Sequence, residues 1–505
     1  MKTTLLRTSP TTTGWAAIPP ATTPSTRLAM MTSRPASGNN PEAVARYEAI
    51  RCRVVRQVHY SPHRPAESID LVLFVNGLPV ATLELKTQFT QSVHDAIRQY
   101  RFNRPVGDPT TRKREPLLQF RSRAIVHFAV STEEVYMATR LAGAHTRFLP
   151  FNRGYQEGAG NPPNPDGYKT AYLWERVLQR DAWLHILAKF VHLEESDAGK
   201  QTLIFPRFHQ WDAVTQLVAD VRTHAGDAVR RLVQHSAGSG KSNSIGWLAH
   251  HLSSLWISDE KKLFDSVIVV TDRTVLDSQL QDTIYQFDHK QGVVERITTE
   301  GGAKSTQLAE APAQRKPIII VTIQTFGKVL EKLGSQEMQD HTFAVIADEA
   351  HTSQTGKAAA GLKQALGFTV KDEDEEISLE DVLTEAANSR YGAGNISYFA
   401  FTATPKAKTM QLFGSQQSDG SYLPFHSYPM RQAIEEGFIL DVLTGYIPYK
   451  VAYKLAHQGR DYDEDEVDKS EASKEAVRYK LAMDRYIRHQ HYRYGTLVAF
   501  SGEVN

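Results

Sequence analysis

The chain has 505 residues, of which 41% are hydrophobic and 23% are charged, and its formal net charge at pH 7 is +1. This length predicts roughly three domains and supplies apolar residues for more than one core. No segment approaches the roughly 18 consecutive apolar residues of a membrane-spanning helix, so we expect no membrane partner. The single cysteine, Cys52, excludes an intramolecular disulfide and a cysteine-rich metal site, and it favours a cytoplasmic protein.

Charge and composition vary along the chain. Residues 41–130 carry 14 Lys and Arg against 8 Asp and Glu, and a local basic stripe of this kind suffices for binding DNA in a near-neutral protein. Residues 1–40 are rich in Thr, Ser and Pro and contain no acidic residue. Such a composition occurs in organelle transit peptides and in disordered tails, and a wrongly placed start of the chain would also produce it.

The first part of the chain predicts a sheet with one helix. Apolar and alternating patterns predict strands over Val54–Val58, Ile69–Val75, Val80–Lys86 and Ala124–Val130, and a helix over Ser92–Phe102. Asn76-Gly77, between the second and third strands, is a strong hairpin signal. Residues 148–172 are dense in Gly, Pro and Asn and predict a long surface loop, and a helical stretch over 172–193 follows.

From residue 205 to about 443, predicted strands alternate with helices. The strands are Arg231–Gln234, Ser266–Thr271, Pro317–Thr322, Phe343–Asp348 and Ile396–Thr402. This alternation predicts an α/β fold with a doubly wound parallel sheet. Lys371–Asp381 reads as an acidic surface loop, and a polar helical stretch to about Gln490 precedes a last strand, Thr496–Phe500.

The segment His235–Ser242, HSAGSGKS, predicts a phosphate-binding loop between a strand and a helix. The backbone N–H groups of its central residues would surround the phosphates of ATP, Lys241 would reach the β- and γ-phosphates, and Ser242 would ligate Mg²⁺. The central residues are Ala237, Gly238, Ser239 and Gly240. The consensus begins with Gly, where this chain has His235.

Three more features complete a nucleotide site. Asp348 and Glu349, in DEAH, follow the apolar run FAVIA, so Asp348 would hold Mg²⁺ and Glu349 would polarise the attacking water. Thr402 and Thr404 lie in TATP at another strand end, and Gln210 lies where an amide can read the edge of adenine. An ordinary turn and a solvated loop residue remain alternatives for the last two features.

Asp70, Glu84 and Lys86 predict a nuclease site, because hydrolysis of a phosphodiester needs carboxylates to hold Mg²⁺ and a lysine to orient water. Glu84 and Lys86 share one face of a strand. A regular hairpin with the two-residue loop Asn76-Gly77 would place Asp70 opposite residue 83 and turn its carboxylate away from Glu84. We therefore expect a three-residue loop or a bulge at Gly77; solvated strand ends remain the alternative.

Basic and aromatic residues alternate directly after this site. Arg98, Gln99, Tyr100 and Arg101 lie on the predicted helix, with Arg104 just beyond it, and they predict a phosphate track for DNA. A solvated amphipathic face would carry the same residues.

These motifs together resemble superfamily 2 helicases, and with the nuclease they resemble the R subunit of type I restriction–modification enzymes. Segments such as LVLFVNGLPVATLELK, QHSAGSGKSNSIGWLAH and MRQAIEEGFILDVL carry the resemblance, which extends from about Tyr47 to the end. It implies ATP-driven translocation on double-stranded DNA, cleavage far from the recognition sequence, and modification and specificity subunits as partners. It also implies that Thr271, Arg273, Thr322 and Gln324 hold the DNA backbone.

The resemblance has departures. Many relatives have a Q-x-x-x-Y element, whose Gln would fall at Ala96 if Tyr100 is its Tyr. The chain stops where a second motor lobe, with its arginine motif, begins in the family, so we expect weak or no ATPase from these 505 residues alone. A stand-alone helicase–nuclease for DNA repair or phage defence, and an inert fragment that binds nucleotide or DNA, remain alternatives.

The predicted organisation follows from these motifs. It consists of a tail (1–40), a PD-(D/E)xK endonuclease domain (41–150), a loop and helical linker (151–200), a first RecA-like ATP-binding lobe (201–445), and a linker with the beginning of a second RecA-like lobe (446–505).

Overall fold

A computed structural model describes most of the chain up to Thr271 and selected strands and loops beyond it. The described residues are 33–271 except 36–37, 62, 88–90, 109, 196–198, 200 and 226, then 284, 294–296, 316–322, 326, 329, 340–348, 353–354, 377–378 and 395–441. The predicted tail up to residue 32, the predicted helical stretch and last strand after residue 443, and all but two residues of the acidic insertion lie outside these ranges.

The N-terminal part forms a six-stranded sheet whose strands lie in chain order. Neighbouring strands are antiparallel except β3 and β4, which are parallel. The strands are β1 (Cys52–His59), β2 (Ser68–Val75), β3 (Leu78–Leu85), β4 (Val126–Val130), β5 (Val135–Ala138) and β6 (Leu149–Pro150). The four strands expected here are confirmed, with ends shifted by one or two residues, whereas β5 and β6 were not predicted.

Two helices accompany this sheet. Helix α1 (Pro41–Glu48) begins at the N-cap Asn40, whose side chain accepts a hydrogen bond from the Ala43 N–H. Helix α2 (Val93–Arg98) continues into one π-helical turn, Gln99–Asn103, and it packs on β3, β4 and β5 as the crossover between the parallel pair. The predicted helix is thus confirmed, with a π-helical second half.

The β2–β3 hairpin contains the irregularity that the spacing of the carboxylates requires. Val75 pairs with Leu78 across a two-residue turn in which Asn76 (φ 49°) and Gly77 (φ 80°) are both left-handed. The register shifts between Leu73 and Phe74, so that Val80 is the extra residue of a bulge. The expectation of an extra residue is confirmed, but its place was wrong. The two-residue turn closes the hairpin without an extra residue. The extra residue is Val80 in β3, three residues after Gly77.

A connecting region joins the two sheets. After the irregular segment 151–172 come a π-helical turn (Leu173–Val177), helix α3 (Arg180–Lys189) and a hairpin of β7 (His192–Glu195) and β8 (Gln201–Ile204). Edge-to-face aromatic contacts join Phe151 to Phe128 of β4 and to Phe208 of the next helix. The first sheet and the second region therefore share one apolar core.

The second sheet has seven strands in the order β11, β12, β10, β13, β16, β9, β19, and all neighbouring pairs are parallel. Its strands are β9 (Arg230–His235), β10 (Ser266–Thr271), β11 (Val294–Arg296), β12 (Ile318–Thr322), β13 (Phe343–Ala347), β16 (Ile396–Thr402) and β19 (His426–Tyr428). Burial of whole strands explains their continuous apolar sequences. The predicted parallel α/β sheet is confirmed, and β11 and β19 are additions to it.

Helices and two pairs of short strands complete the described elements. The helices are α4 (Phe208–Thr223), α5 (Lys241–Ser253), α6 (Ala407–Phe413) and α7 (Met430–Glu435). Short strands pair β14 (Ser353–Gln354) with β15 (Ile377–Ser378), and β17 (Ser415–Gln416) with β18 (Tyr422–Leu423). Among the described residues, no helix has the length and apolar character needed to cross a membrane.

Candidate active sites

The predicted phosphate-binding loop connects β9 to α5. Gly238 (φ 70°) and Gly240 (φ 76°) adopt left-handed conformations, and Gly240 is the N-cap of α5. A Cβ atom on Gly240 would lie 2.5 Å from Nε2 of Gln210. The left-handed backbone therefore favours glycine at this position, and a Cβ there would displace the Gln210 amide.

The first turn of α4 holds the loop by its carbonyl groups. Arg207 donates to Gly238 O (3.3 Å), and Gln210 donates to Ser239 O (3.2 Å) and Gly240 O (3.0 Å). A trans peptide directs its N–H opposite to its C=O, so the N–H groups of Gly240 and Lys241 point away from α4. An anion on the other side of the loop would therefore face these N–H groups.

Gln210 contacts the phosphate-binding loop in this structure. Its Oε1 accepts from the Arg207 N–H (2.9 Å), so the amide makes three hydrogen bonds within the protein and both of its N–H donors are used. The reading of adenine by Gln210 stays a prediction, and it requires one of these bonds to be exchanged.

The edge strand β19 holds the start of the loop. Ser236 N–H donates to Tyr428 O (2.9 Å), and the Tyr428 ring stacks on His209 with centroids 3.7 Å apart. His235 is fully buried, and its Nε2 lies 2.9 Å from Nδ1 of His426. Burial lowers the pKa of His235 well below its usual value, so the imidazole is neutral. Sequence reasoning missed this support, because nothing along the chain links residues 236 and 428.

The carboxyl edge of the parallel sheet gathers the other predicted residues. Asp348 follows β13, Thr402 ends β16, and the phosphate-binding loop follows β9, and these three strands are neighbours. Asp348 N–H donates to Val270 O (3.0 Å), and Thr404 N–H donates to the Thr402 hydroxyl (3.3 Å).

The predicted DNA-backbone residues lie farther along the same edge. Thr271 and Thr322 are paired at the ends of β10 and β12, and both are buried. Glu349, Arg273 and Gln324 lie outside the described residues.

The hairpin bulge brings the two nuclease carboxylates together. Leu71 pairs with Leu83, so Asp70 stands opposite Glu84 at the end of the ladder and on the same face. Asp70 accepts hydrogen bonds from Leu85 N–H (2.8 Å) and from Gln57 Nε2 (3.0 Å).

Glu84 is fully buried and paired with a guanidinium. Arg104 Nε donates to Glu84 Oε1 (2.9 Å), whereas Glu84 Oε2 is buried and receives no hydrogen bond from any described residue. Burial, followed by the charge of Asp70, raises the pKa of Glu84 to about 7, although Arg104 acts in the opposite direction. Two adjacent carboxylates, one with a buried oxygen that lacks a partner, match the hard oxygen ligands that Mg²⁺ prefers.

Lys86 lies just beyond β3, with its N–H donating to Val130 O (2.8 Å), and its side chain is half-buried. Hydrogen bonds from Ser92 lower the pKa of Asp95, and the charges of Arg98 and Lys86 add to that effect.

The predicted phosphate track is partly internal. Tyr100 is fully buried and shares a hydrogen bond with Thr82 Oγ1 (2.8 Å), so a DNA contact at Tyr100 is contradicted by its position in the core. Arg101 donates to Thr146 O (2.9 and 3.2 Å). Arg98 is exposed and Gln99 is half-buried. The π-helical turn rotates this segment so that Tyr100 and Arg104 face the sheet.

Comparisons with known proteins match the two parts of the chain that contain these residues. A family model for the SWI2/SNF2 ATPases matches residues 209–477, more than half of the chain. A model for the N terminus of the type I restriction enzyme R protein matches residues 46–146. The chain belongs to the SWI2/SNF2 ATPases. Together with the N-terminal match, this makes it an R subunit of a type I restriction enzyme.

Curated relatives of this R-subunit chain are restriction endonuclease subunits. The putative MjaVIIIP subunit of Methanocaldococcus jannaschii is 24% identical over 365 residues, which cover 64% of this chain and 32% of the relative. The HindI subunit of Haemophilus influenzae is 24% identical over 400 residues, which cover 78% and 34%. The SsaAORF53P subunit of Staphylococcus saprophyticus is 23% identical over 391 residues, which cover 75% and 34%. The chain thus spans about a third of the length of these relatives.

Among solved structures, the crystal structure of T4 UvsW aligns with 45% of this chain and 34% of its own, at 16% identity and a TM-score of 0.25. A likeness of this size supports no argument about function.

Proposed function

We propose that this R-subunit chain couples ATP-driven translocation on double-stranded DNA to Mg²⁺-dependent cleavage of both strands. The observation that carries the proposal is that Asp70 and Glu84 stand opposite each other on a buried hairpin of the same chain whose parallel sheet bears a phosphate-binding loop. Translocation and cleavage belong to the whole enzyme, of which this chain corresponds to about a third by the length of its relatives.

The proposed roles in the motor combine the positions of the described residues at the carboxyl edge of the sheet with the roles that the family resemblance implies. Lys241 binds the β- and γ-phosphates of ATP, Ser242 and Asp348 hold Mg²⁺, and Glu349 orients the attacking water. The neighbouring Thr271 and Thr322, with Arg273 and Gln324, hold the DNA backbone. Residues 201–445 form the first RecA-like lobe, and residues 446–505 begin the next.

The proposed roles in the nuclease follow from the carboxylate pair. Asp70 and Glu84 would hold Mg²⁺, and Lys86 would orient the water. When bound, Mg²⁺ supplies charge neutralisation and a water of lowered pKa. Residues 41–150 form this endonuclease domain, and residues 151–200 link it to the motor.

The proposed partners are double-stranded DNA and the modification and specificity subunits of the same system, in the cytoplasm. Recovery of those subunits on affinity purification of the tagged chain from its own host supports this assignment. Purification of the chain with no methyltransferase would favour a stand-alone helicase–nuclease instead.

Two single substitutions separate the two centres. K241A should abolish binding of a fluorescent ATP analogue, because the loop loses its phosphate-binding ammonium, and it should leave Mn²⁺ binding in nucleotide-free buffer unchanged. E84Q should weaken Mn²⁺ binding, because the nuclease site loses a carboxylate, and it should leave binding of the ATP analogue unchanged. The measurements are fluorescence anisotropy and Mn²⁺ electron paramagnetic resonance on the purified 505-residue chain. If either variant lost both ATP-analogue binding and Mn²⁺ binding while circular dichroism showed an intact fold, the two centres would not be independent.

A further inference from the structure

We infer that Arg104 is a positioning residue of the nuclease site, which fixes the Glu84 carboxylate so that one of its oxygens is presented to a divalent metal. The inference rests on the proposed nuclease function. Arg104 is not one of the predicted catalytic residues, and it lies 20 residues beyond Glu84 in the chain.

The contacts of Arg104 show a fixed side chain. Its Nε donates to Glu84 Oε1 (2.9 Å), its Nη2 donates to Ser68 O (2.7 Å), and its Nη1 donates to Asn103 O (3.3 Å). The residue is 9% exposed. All three guanidinium nitrogens thus donate within the protein, which fixes the plane of the guanidinium against Glu84.

The same contacts join the two strands that carry the carboxylates. Ser68 lies two residues before Asp70 on β2, and Glu84 lies on β3. The guanidinium therefore adds a second link at the open end of the hairpin, where Asp70 already accepts a hydrogen bond from Leu85 N–H. Glu84 Oε1 is occupied by the guanidinium, which leaves Oε2 as the buried oxygen beside Asp70.

The local backbone explains how Arg104 reaches this position. The π-helical turn Gln99–Asn103 widens the end of α2, and Arg104 leaves the helix with φ −124° and ψ 63°. A regular α-helical continuation would direct residue 104 elsewhere, and π-helical turns occur often at functional sites.

The test compares R104K with R231K in the full chain. Lysine keeps the charge but cannot donate to Glu84 and to Ser68 in one plane. Arg231 is the matched control, because it forms a two-pronged pair with Asp220 (2.7 and 3.0 Å) away from the nuclease site. Mn²⁺ affinity is measured by electron paramagnetic resonance without nucleotide or DNA. We expect R104K to weaken Mn²⁺ binding about 10- to 100-fold, and R231K to change it by less than about twofold.

A cycle with E84Q completes the test. In the E84Q background R104K should have no further effect, because Arg104 acts through Glu84. R104K binding of Mn²⁺ equal to or tighter than wild type would overturn the inference, since Arg104 would then be a structural partner or a competitor of the metal. Equal Mn²⁺ binding by wild type, D70N and E84Q would instead overturn the metal site and thus the proposed nuclease function.

Discussion

Glu84 shows how burial changes the chemistry of a single residue. The carboxyl is fully inside the protein, beside Asp70 and Arg104, and its pKa is raised to about 7. A carboxyl with this pKa is half protonated near neutral pH, and a divalent metal would displace that proton. The sequence identified Glu84 as a candidate metal ligand. Its pKa, however, depends on groups from β2 and from the end of α2.

The first prediction concerns the pH dependence of stability. The folded-state pKa of Glu84 is raised from 4.5 to about 7, so its contribution to stability is fully present below about pH 4.5 and is lost as the pH rises through 7. The loss is on the order of 3 kcal/mol. In metal-free buffer, E84Q should therefore melt at a higher temperature than wild type at pH 8 and at a similar temperature at pH 5.

Added Mg²⁺ provides the control for this prediction. At pH 8 it should raise the melting temperature of wild type more than that of E84Q, because E84Q lacks one of the two carboxylates proposed to hold the ion at this site. An unchanged difference between the two proteins from pH 5 to pH 8 would show that Glu84 titrates normally in the folded chain.

Between elements, a buried polar cluster joins β3, β4 and the π-helical turn after α2. Thr82 Oγ1 lies 2.8 Å from the Tyr100 hydroxyl and 2.7 Å from His127 Nδ1, and all three side chains are buried. Burial lowers the pKa of His127 to about 3, so the ring is neutral. This cluster holds β3, the strand of Glu84, against its neighbours. Tyr100 thus stabilises the core and does not make the DNA contact that was predicted for it.

The second prediction tests the central position of Thr82. T82V leaves two buried groups without partners and should lower the local stability by about 2–4 kcal/mol, whereas Y100F removes a hydroxyl together with its need for a partner and should cost about 1 kcal/mol. Hydrogen–deuterium exchange of the β3 and β4 amides measures both changes. If Y100F cost as much stability as T82V, Thr82 would not be the central hydrogen-bond partner of this cluster.

In the molecule as a whole, a loop of the N-terminal region lies against α7 beside the candidate nucleotide site. A Cβ atom on Gly154 would lie 2.4 Å from Gln432 Oε1, and Ala159 N–H donates to Glu435 Oε2 (2.7 Å). Helix α7 directly follows β19, whose Tyr428 accepts from the phosphate-binding loop. The N-terminal region and the proposed nucleotide region are therefore connected through packed, hydrogen-bonded elements.

The third prediction compares two glycines of this loop. Gly154 (φ 83°) and Gly160 (φ 90°) share a left-handed backbone, but a Cβ on Gly160 would meet nothing within 4 Å. G154A and G160A share the backbone strain, and G154A alone should displace Gln432, at an added cost of about 1–3 kcal/mol. Hydrogen–deuterium exchange of α7 reports this difference, which Q432A should remove. Equal effects of G154A and G160A would mean that the loop does not press on α7.

The sequence by itself determined the α/β class, the five central strands of the parallel sheet and the phosphate-binding loop, because each depends on local pattern and on glycines at fixed spacing. It also predicted that the hairpin needs an extra residue, since the side-chain period of a strand is two. Only the tertiary structure placed that residue at Val80, moved Tyr100 into the core and brought Arg104 to Glu84. These outcomes depend on contacts between residues far apart in the chain, for which neighbouring sequence carries no signal.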